Sequence, residues 1–301
     1  MIRLVTKASV GGMLALAATL AVAGVAHAAF PGRNGKIAYV RAANGKNDIW
    51  TMRANGSHKR RLTRNASEPA FSPNGKKIVF TRFRRGVNRL LKGDIYTMRA
   101  NGSHQQPLIH TSAGEVDPSF SPSGNKVVFT SIGRQSRGIY TIRVDGSQLR
   151  KLTSGRFTFD PTFSPNGSRI VFDRRCALKI MRADGSHERT LATPVEDDCY
   201  LDPDVSPDGE QIAFTSEDGG IWLVGIDGGG LTRVGPYVGG IHDRSPSFSP
   251  RGSRLAFSSD RGQSDGDFEI NTMNLDGSNV KRLTFGARSA AVQPSWGVRP
   301  Q

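Results

Sequence analysis

Four acidic residues of this sequence each stand directly before a proline, at intervals of 49, 43 and 42 residues. They are Glu68, Asp117, Asp160 and Asp202, and the matching positions further along the chain hold Ser245 and Gln293. Carboxylate oxygens that are brought together can hold a cation or a basic group. The alternative is that each acid acts locally, by capping the start of a strand and holding a turn.

Arginines are frequent in segments that we expect to form loops at the same end of the fold as these acids. The net charge of +15 favours acidic partners, such as an acidic protein or an anionic cell-envelope polymer. We predict a basic rim around the acidic centre, formed by Arg82, Arg84, Arg85, Arg89, Arg134, Arg137, Arg174 and Arg175, with Lys92 in the longest loop. The alternative is a solvated basic surface that has no specific partner.

The motifs give no set of residues for catalysis or metal binding. Residues 262–266 match the G-x-S-x-G pattern of a nucleophile elbow, which needs a strand-to-helix turn, whereas Ser264 falls between two expected strands. The histidines are scattered, and no Cys/His cluster has the spacing of zinc ligands. We therefore predict no catalytic residues, no metal site and no cofactor, and leave open a cation held by the four acids.

The chain has two cysteines, Cys176 and Cys199, in segments expected to be loops at the same end. In an oxidising compartment they can form a disulfide worth about 3 kcal/mol. Two free thiols are the alternative.

One sequence unit, written six times, must position all these residues. Its first element is Ser-Pro-x-Gly after an apolar residue, beginning at Phe71, Phe120, Phe163, Val205 and Phe248, with a worn copy at 294–297. Its second element is a short apolar run that ends in an aromatic residue, at 36–39, 77–80, 126–129, 169–172, 211–214 and 254–257. Such continuous apolar runs predict strands that are covered on both faces.

The third element ends in every copy in Asn-Gly or Asp-Gly, which is a strong signal for a hairpin turn. A fourth, short element such as Arg61-Leu62-Thr63 follows, and its Lys and Arg neighbours are typical of an exposed sheet edge. Four strands per unit at a period near 43 residues predict the blade of a β-propeller.

The phase of the repeat predicts how the ring closes. The first expected strand, at 35–40, is a second-element strand, and the last, around Trp296, is a first-element strand. We predict an all-β, six-bladed propeller with four antiparallel strands per blade, in which the N- and C-terminal strands pair within one blade. This pairing would leave no sheet edge exposed.

The strings FSPNGKKIVF at 71–80 and DIYTMRANGS at 94–103 resemble the repeats of the TolB propeller, a WD-like family. The resemblance covers nearly all of residues 30–298. It is specific for the fold and less so for function, since this propeller type also precedes the catalytic domains of prolyl oligopeptidase-type peptidases. TolB itself has an N-terminal α/β domain that we expect to be missing here, so roles that depend on it do not carry over.

The N-terminus has the pattern of a secretory signal peptide. Arg3 and Lys7 precede an apolar run, and Ala26-His27-Ala28 supplies the small residues of a cleavage site after residue 28. A single transmembrane anchor is the alternative. We predict a signal peptide at 1–28 and a propeller at 29–301. The propeller is expected to be periplasmic or secreted and monomeric. It is expected to have no membrane span and no nucleic acid as a partner.

The function predicted from these features is that of an exported, non-catalytic scaffold. Its partner would be a protein or an anionic cell-envelope polymer, bound on the face with the acidic channel mouth and the basic rim. The alternative is a propeller enzyme, such as a polysaccharide lyase or hydrolase, with its site in the central channel. Three acids converging at the channel would favour the enzyme.

Overall fold

The protein is described by a computed structural model over residues 29–85, 91–194, 198–236, 238–263, 267–286 and 289–301, excluding the side chains of Arg85 and Leu91. Within these residues the chain forms six antiparallel sheets of four strands each. The sheets are the blades of a ring, so the predicted all-β, six-bladed propeller is confirmed. The predicted signal peptide, 1–28, lies outside the described residues.

The strands are numbered in chain order and follow one another from the inside of each blade outwards. Blade 1 contains β24 (Ala290–Val298), β1 (Asn34–Ala43), β2 (Lys46–Arg53) and β3 (Arg60–Arg64). Blade 2 contains β4 (Ala66–Phe71), β5 (Lys77–Arg85), β6 (Leu91–Arg99) and β7 (Gln106–Ile109). Blade 3 contains β8 (Glu115–Phe120), β9 (Lys126–Ser131), β10 (Gly138–Arg143) and β11 (Arg150–Lys151).

The remaining three blades repeat this order. Blade 4 contains β12 (Thr158–Phe163), β13 (Arg169–Arg174), β14 (Ala177–Arg182) and β15 (Arg189–Ala192). Blade 5 contains β16 (Tyr200–Val205), β17 (Gln211–Ser216), β18 (Gly220–Gly225) and β19 (Thr232–Arg233). Blade 6 contains β20 (Asp243–Phe248), β21 (Arg254–Ser259), β22 (Glu269–Asn274) and β23 (Lys281–Arg282).

The ring closes in blade 1, where the last strand of the chain pairs with the first. Ile37 of β1 lies opposite Trp296 of β24, and Asn34 lies opposite Val298. The N–H of Arg299 donates to the carbonyl of Arg33 at 2.8 Å, just beyond the strands. The predicted closure is therefore confirmed.

The second strand of each blade forms the core between neighbouring sheets. Its aromatic residue is at most 1% exposed in every blade, at Tyr39, Phe80, Phe129, Phe172, Phe214 and Phe257. This burial on both faces explains why these strands are continuously apolar instead of alternating. The described part of the chain contains no helix with the length and hydropathy of a membrane span.

Glycines in the hairpins between the third and fourth strands bring neighbouring blades into direct contact. In blade 2, a Cβ on Gly102 would lie 3.0 Å from the carbonyl oxygen of Leu62 in the preceding blade. In blade 4, a Cβ on Gly185 would lie 2.8 Å from the carbonyl oxygen of Leu152 in blade 3. Both glycines also have a positive φ, of 86° and 87°. The repeated Asn-Gly and Asp-Gly pairs therefore serve packing between blades as well as the turn.

Replacing Gly277 by alanine is expected to destabilise the propeller more than the same change at Gly230. The φ angles are similarly positive, at 81° and 67°, but a Cβ at 277 would lie 2.4 Å from the Cα of Gly235, whereas nothing lies within 4 Å at 230. Overpacking of this kind costs about 1–3 kcal/mol. Urea unfolding of the two variants measures the difference, and equal losses would contradict the close contact between blades 5 and 6.

Candidate functional site

The four acids before prolines lie at equivalent points of the inner strands and form, with two polar residues, what we call the channel ring. Each has a φ between 51° and 59°, in the left-handed region. Each ring residue and its proline together oppose a single residue of the second strand, as in a β-bulge. The channel ring consists of Glu68, Asp117, Asp160, Asp202, Ser245 and Gln293.

Side chains of the channel ring bind the backbone of the next blade. The N–H of Asp117 donates to Oε2 of Glu68 at 2.8 Å, and the N–H of Asp160 donates to Oδ2 of Asp117 at 3.4 Å. The N–H of Glu68 donates to Oε1 of Gln293 at 3.3 Å. These bonds satisfy amides at the bulges, where the local strand ladder is interrupted. These contacts join neighbouring blades, so Glu68, Asp117 and Gln293 have a structural role across the ring.

Three carboxyl groups converge in the channel, and we call them the carboxyl cluster. They belong to Asp160 and Asp202 of the channel ring and to Asp173 at the end of β13. The Asp160 carboxyl acts on the pKa of both of the others, so the three groups lie close enough to interact. Oδ1 of all three has no hydrogen-bond partner among the described residues. The three side chains are buried, at 2–3% exposure.

Burial raises the pKa values of the carboxyl cluster. Loss of hydration raises the pKa of Asp173 to about 8, and the negative charge of Asp202 acts in the same direction. Burial also raises the pKa of Asp202 to about 6, although hydrogen bonds from Thr215 and Ser245 oppose this shift. Burial, followed by the charge of Asp117, raises the pKa of Asp160 well above its ordinary value. At neutral pH the cluster thus retains protons that a cationic group could replace.

Three of the predicted rim arginines are held by contacts within the protein. The guanidinium of Arg82 lies 4.6 Å from the centre of the Tyr96 ring, and Nε of Arg84 donates to Asp94 at 2.7 Å. Nη1 of Arg174 donates to both carboxylate oxygens of Glu188 at 2.7 Å. Each of these arginines thus has a partner within its own blade.

Two other rim arginines, Arg134 and Arg137, line a shared cavity of about 1100 Å³ together with Lys92. The cavity lies between blades 2 and 3, and the buried Glu115 and the half-buried Tyr140 contribute to its wall. Arg175 is exposed on the neighbouring loop of blade 4. The side chain of Arg85, and Arg89 as a whole, lie outside the described residues.

The sequence model of the TolB beta propeller domain matches residues 20–198, which is more than half of the chain. The chain belongs to the TolB β-propeller domain family. Its resemblance to TolB-type repeats is thereby confirmed.

Individual relatives of this TolB-type propeller match shorter segments. An uncharacterized protein of Agrobacterium fabrum, Atu1656, is 35% identical over 104 residues, covering 31% of this chain and 35% of the relative. The Tol-Pal system protein TolB of Francisella tularensis is 37% identical over 86 residues, covering 28% of this chain and 19% of the relative. These matches span about a third or less of the curated relatives' lengths. The structure of TolB from Acinetobacter baumannii, 20% identical, superposes with a TM-score of 0.72 over 88% of this chain and 67% of that one.

The two cysteines of the TolB-type propeller are bonded to each other, with their Cα atoms 4.2 Å apart. Cys176 lies in the turn between β13 and β14, at a φ of 68°, and Cys199 immediately precedes β16. The disulfide therefore ties a loop of blade 4 to the start of blade 5, at the end of the ring that carries the carboxyl cluster. Residues 264–266 of the G-x-S-x-G motif lie outside the described residues.

Sequence reasoning missed Asp173, although the repeat contained a signal for it. The residue after the second-strand aromatic is Thr81, Thr130 and Thr215 in three other blades, and Ser258 in a fourth. An aspartate in place of this hydroxyl residue adds a carboxyl to the channel of the TolB-type propeller.

Among the described residues, no group of three or more His, Cys, Asp or Glu side chains has the arrangement of a metal site.

Proposed function

We propose that this chain is an exported, non-catalytic scaffold that binds a protein partner at the end of the ring that carries the carboxyl cluster and the Arg134–Arg137 cavity. The observation that carries the proposal is the cavity of about 1100 Å³ lined by Lys92, Arg134 and Arg137, which lies at the same loop-bearing end of the fold as the carboxyl cluster. Binding residues commonly lie on loops that a rigid scaffold positions. The relatives named as Tol-Pal system proteins support a periplasmic or secreted location and a protein partner.

The channel provides an acceptor for a positive group. A lysine or arginine side chain of the partner would have to enter the channel to meet Asp160, Asp173 and Asp202, whose Oδ1 atoms are closed to solvent, and it would there replace bound protons. Charge neutralisation in a buried site favours such an exchange, since an unpaired buried carboxylate is unfavourable. Glu68 and Asp117 would extend this acceptor around the channel ring.

The cavity beside the channel provides positive charge. Lys92, Arg134 and Arg137 line it, and they would attract acidic side chains of the same partner or an anionic cell-envelope polymer. A monomeric propeller is sufficient for this arrangement, because all of these groups belong to one chain.

Reversing the two cavity arginines is expected to weaken capture of an acidic partner. The variant R134E/R137E, used as bait in an envelope extract, should retain at most about one tenth of the partner, a loss of about 1.4 kcal/mol or more. The matched control K126E/R251E changes the net charge equally on exposed positions at the opposite end of blades 3 and 6. Repeating the capture with a chelator shows whether a cation in the channel takes part. Equal losses in both variants would indicate a diffuse charge effect and contradict the proposed face.

The convergence of Asp160, Asp173 and Asp202 also favours a second candidate, a polysaccharide lyase or hydrolase with its site in the channel. A carboxyl with a pKa of about 8, such as that of Asp173, can act as a general acid at neutral pH. Incubation with polyuronate and with neutral polysaccharides, followed by ultraviolet absorbance and reducing-end assays, tests this activity. Turnover that is lost in D173N would support the enzyme, and absence of turnover would leave the scaffold.

A further inference from the structure

A second cavity lies at the opposite end of the ring, where blades 1 and 2 meet. It has a volume of about 770 Å³, which is in the range of ligand-binding clefts. Phe71, Val298 and Pro300 contribute apolar surface, together with the half-buried Ala54 and Ala100 of two hairpins. We call this cavity the seam cleft, because it adjoins the paired first and last strands.

The seam cleft lies where the ring departs from its repeat. In other blades the turn between the first two strands carries a proline that packs on the turn glycine of the next blade, as Pro122 does on Gly167. At blade 1 the segment after β24 takes this place, and Pro300 lies against Gly75 instead. The cleft is thus lined by segments from both sides of the closure, including residues 34–36 and 298–300.

All charged residues that line the seam cleft are basic. Its exposed charged residues are Lys36, Arg53, Lys76, Arg99 and Arg299. None of them takes part in the ion pairs formed among the described residues. Between residues 29 and 114 the acids are Asp48, Glu68 and Asp94. All three lie towards the other end of their blades, and among the described residues no aspartate or glutamate lines the cleft.

Like charges stand directly opposite each other at this end of the sheets. Lys36 is the cross-strand partner of Arg53, and Lys77 is that of Arg99. Directly opposed like charges destabilise a sheet. An anionic ligand in the cleft would therefore reduce the repulsion between Lys36 and Arg53 of blade 1, and that on Arg99 of blade 2.

We propose that the seam cleft binds an extended acidic peptide segment of a partner protein, with one large apolar side chain of that segment on the floor formed by Phe71 and Val298. Several cations on two blades match an occupant with several negative charges better than one with a single anionic head. In an extended chain, alternate side chains point to the same side, so acidic residues can flank an apolar anchor and face the cations of both blades.

Fluorescence anisotropy with a labelled peptide, Gly-Asp-Glu-Phe-Asp-Glu-Gly, tests the proposal on the whole protein. We expect saturable binding that weakens as salt is added. The variant R53E/R99E should bind at least about tenfold more weakly. The control R169E/R182E changes the net charge equally on a cross-strand pair at the same end of blade 4, and it should lose less than about twofold. A peptide with serine in place of phenylalanine should bind at least about fivefold more weakly.

Three outcomes of the peptide titrations would overturn the proposal. They are no saturable binding, equal losses in R53E/R99E and R169E/R182E, and equal affinity for the serine peptide. Binding of phosphatidylglycerol vesicles that depends on Arg53 and Arg99, without peptide binding, would also overturn it in favour of a lipid surface. An A100W variant, which fills the cleft without changing charge, should weaken the peptide as well. Since R134E/R137E lies at the other end of the ring and should keep full peptide affinity, failure here is distinct from failure of the proposed function.

Discussion

Deletion of residues 294–301 is expected to abolish the cooperative unfolding of this propeller. The deletion removes the part of β24 that pairs with the start of β1, including Trp296, which is 4% exposed and lies opposite Ile37. It also removes Ser295, whose Oγ accepts the N–H of Phe71 in blade 2 at 3.4 Å. The loss exposes the edge of β1 and the packing surface of blade 2 together, and a domain's entire stability is only about 5–15 kcal/mol.

Thermal unfolding followed by circular dichroism and by calorimetry measures this effect. Removal of the exposed Gln301 alone is the control and should leave the transition unchanged. The substitution W296A, which keeps the backbone of the closing strand, should cost about 3–5 kcal/mol and retain a single transition. An unaltered melting curve for the eight-residue deletion would show that the paired terminal strands do not hold the ring closed.

Replacement of Asp173 by threonine is expected to raise the melting temperature at pH 8 and to flatten its dependence on pH. The pKa of Asp173 is raised to about 8 and that of Asp202 to about 6, mainly by burial. For carboxyls whose pKa is raised in the folded state, the folded protein binds more protons than the unfolded chain. These carboxyls therefore contribute fully to the free energy of unfolding below a pH of about 4. Their contribution is lost as the pH rises through the folded-state pKa values of about 6 and about 8.

Threonine suits this position because Thr81, Thr130 and Thr215 occupy it in other blades. We expect D173T to melt at least about 4 °C above the original protein at pH 8, and the two to converge towards pH 5. Chelator in the buffer ensures that no cation replaces the bound protons. D184N is the control. Hydrogen bonds from Ser186 lower the pKa of this exposed aspartate, so its effect on stability changes with pH only under acidic conditions. A D173T curve parallel to the original between pH 5 and 8 would show that the cluster does not titrate as described.

Much of the fold follows from the sequence because each blade repeats the same local solution. The apolar second strand, the Ser-Pro-x-Gly turn and the glycine of the outer hairpin recur with nearly constant spacing, so their roles can be recognised from one copy and checked in five others. The closure of the ring follows from the phase of the repeat. The channel ring could also be anticipated, because equivalent positions of a repeat meet at equivalent points around an axis.

Arginine roles were less predictable, since they depend on neighbours that no local pattern specifies. Arg84 and Arg174 looked like free cations in loops, but each lies within reach of an acid, Asp94 or Glu188, on another strand or turn. Arg134 and Arg137 are not held in this way and line a cavity instead. The sequence gives the number of cations at this end of the ring, but pairing within the blades determines which of them remain available to a partner.

The amino-acid sequence by itself determined the number of blades, their four strands, the closing pair and the shared position of Glu68, Asp117, Asp160 and Asp202. Only the tertiary structure decided that Asp173 joins Asp160 and Asp202, and that the seam cleft brings Lys36 beside Val298. Local features depend on residues that are close in the chain and repeat with the blade. Raised pKa values, burial and cavities depend on how separate blades pack, because groups distant in sequence then exclude water from one another and set each other's pKa.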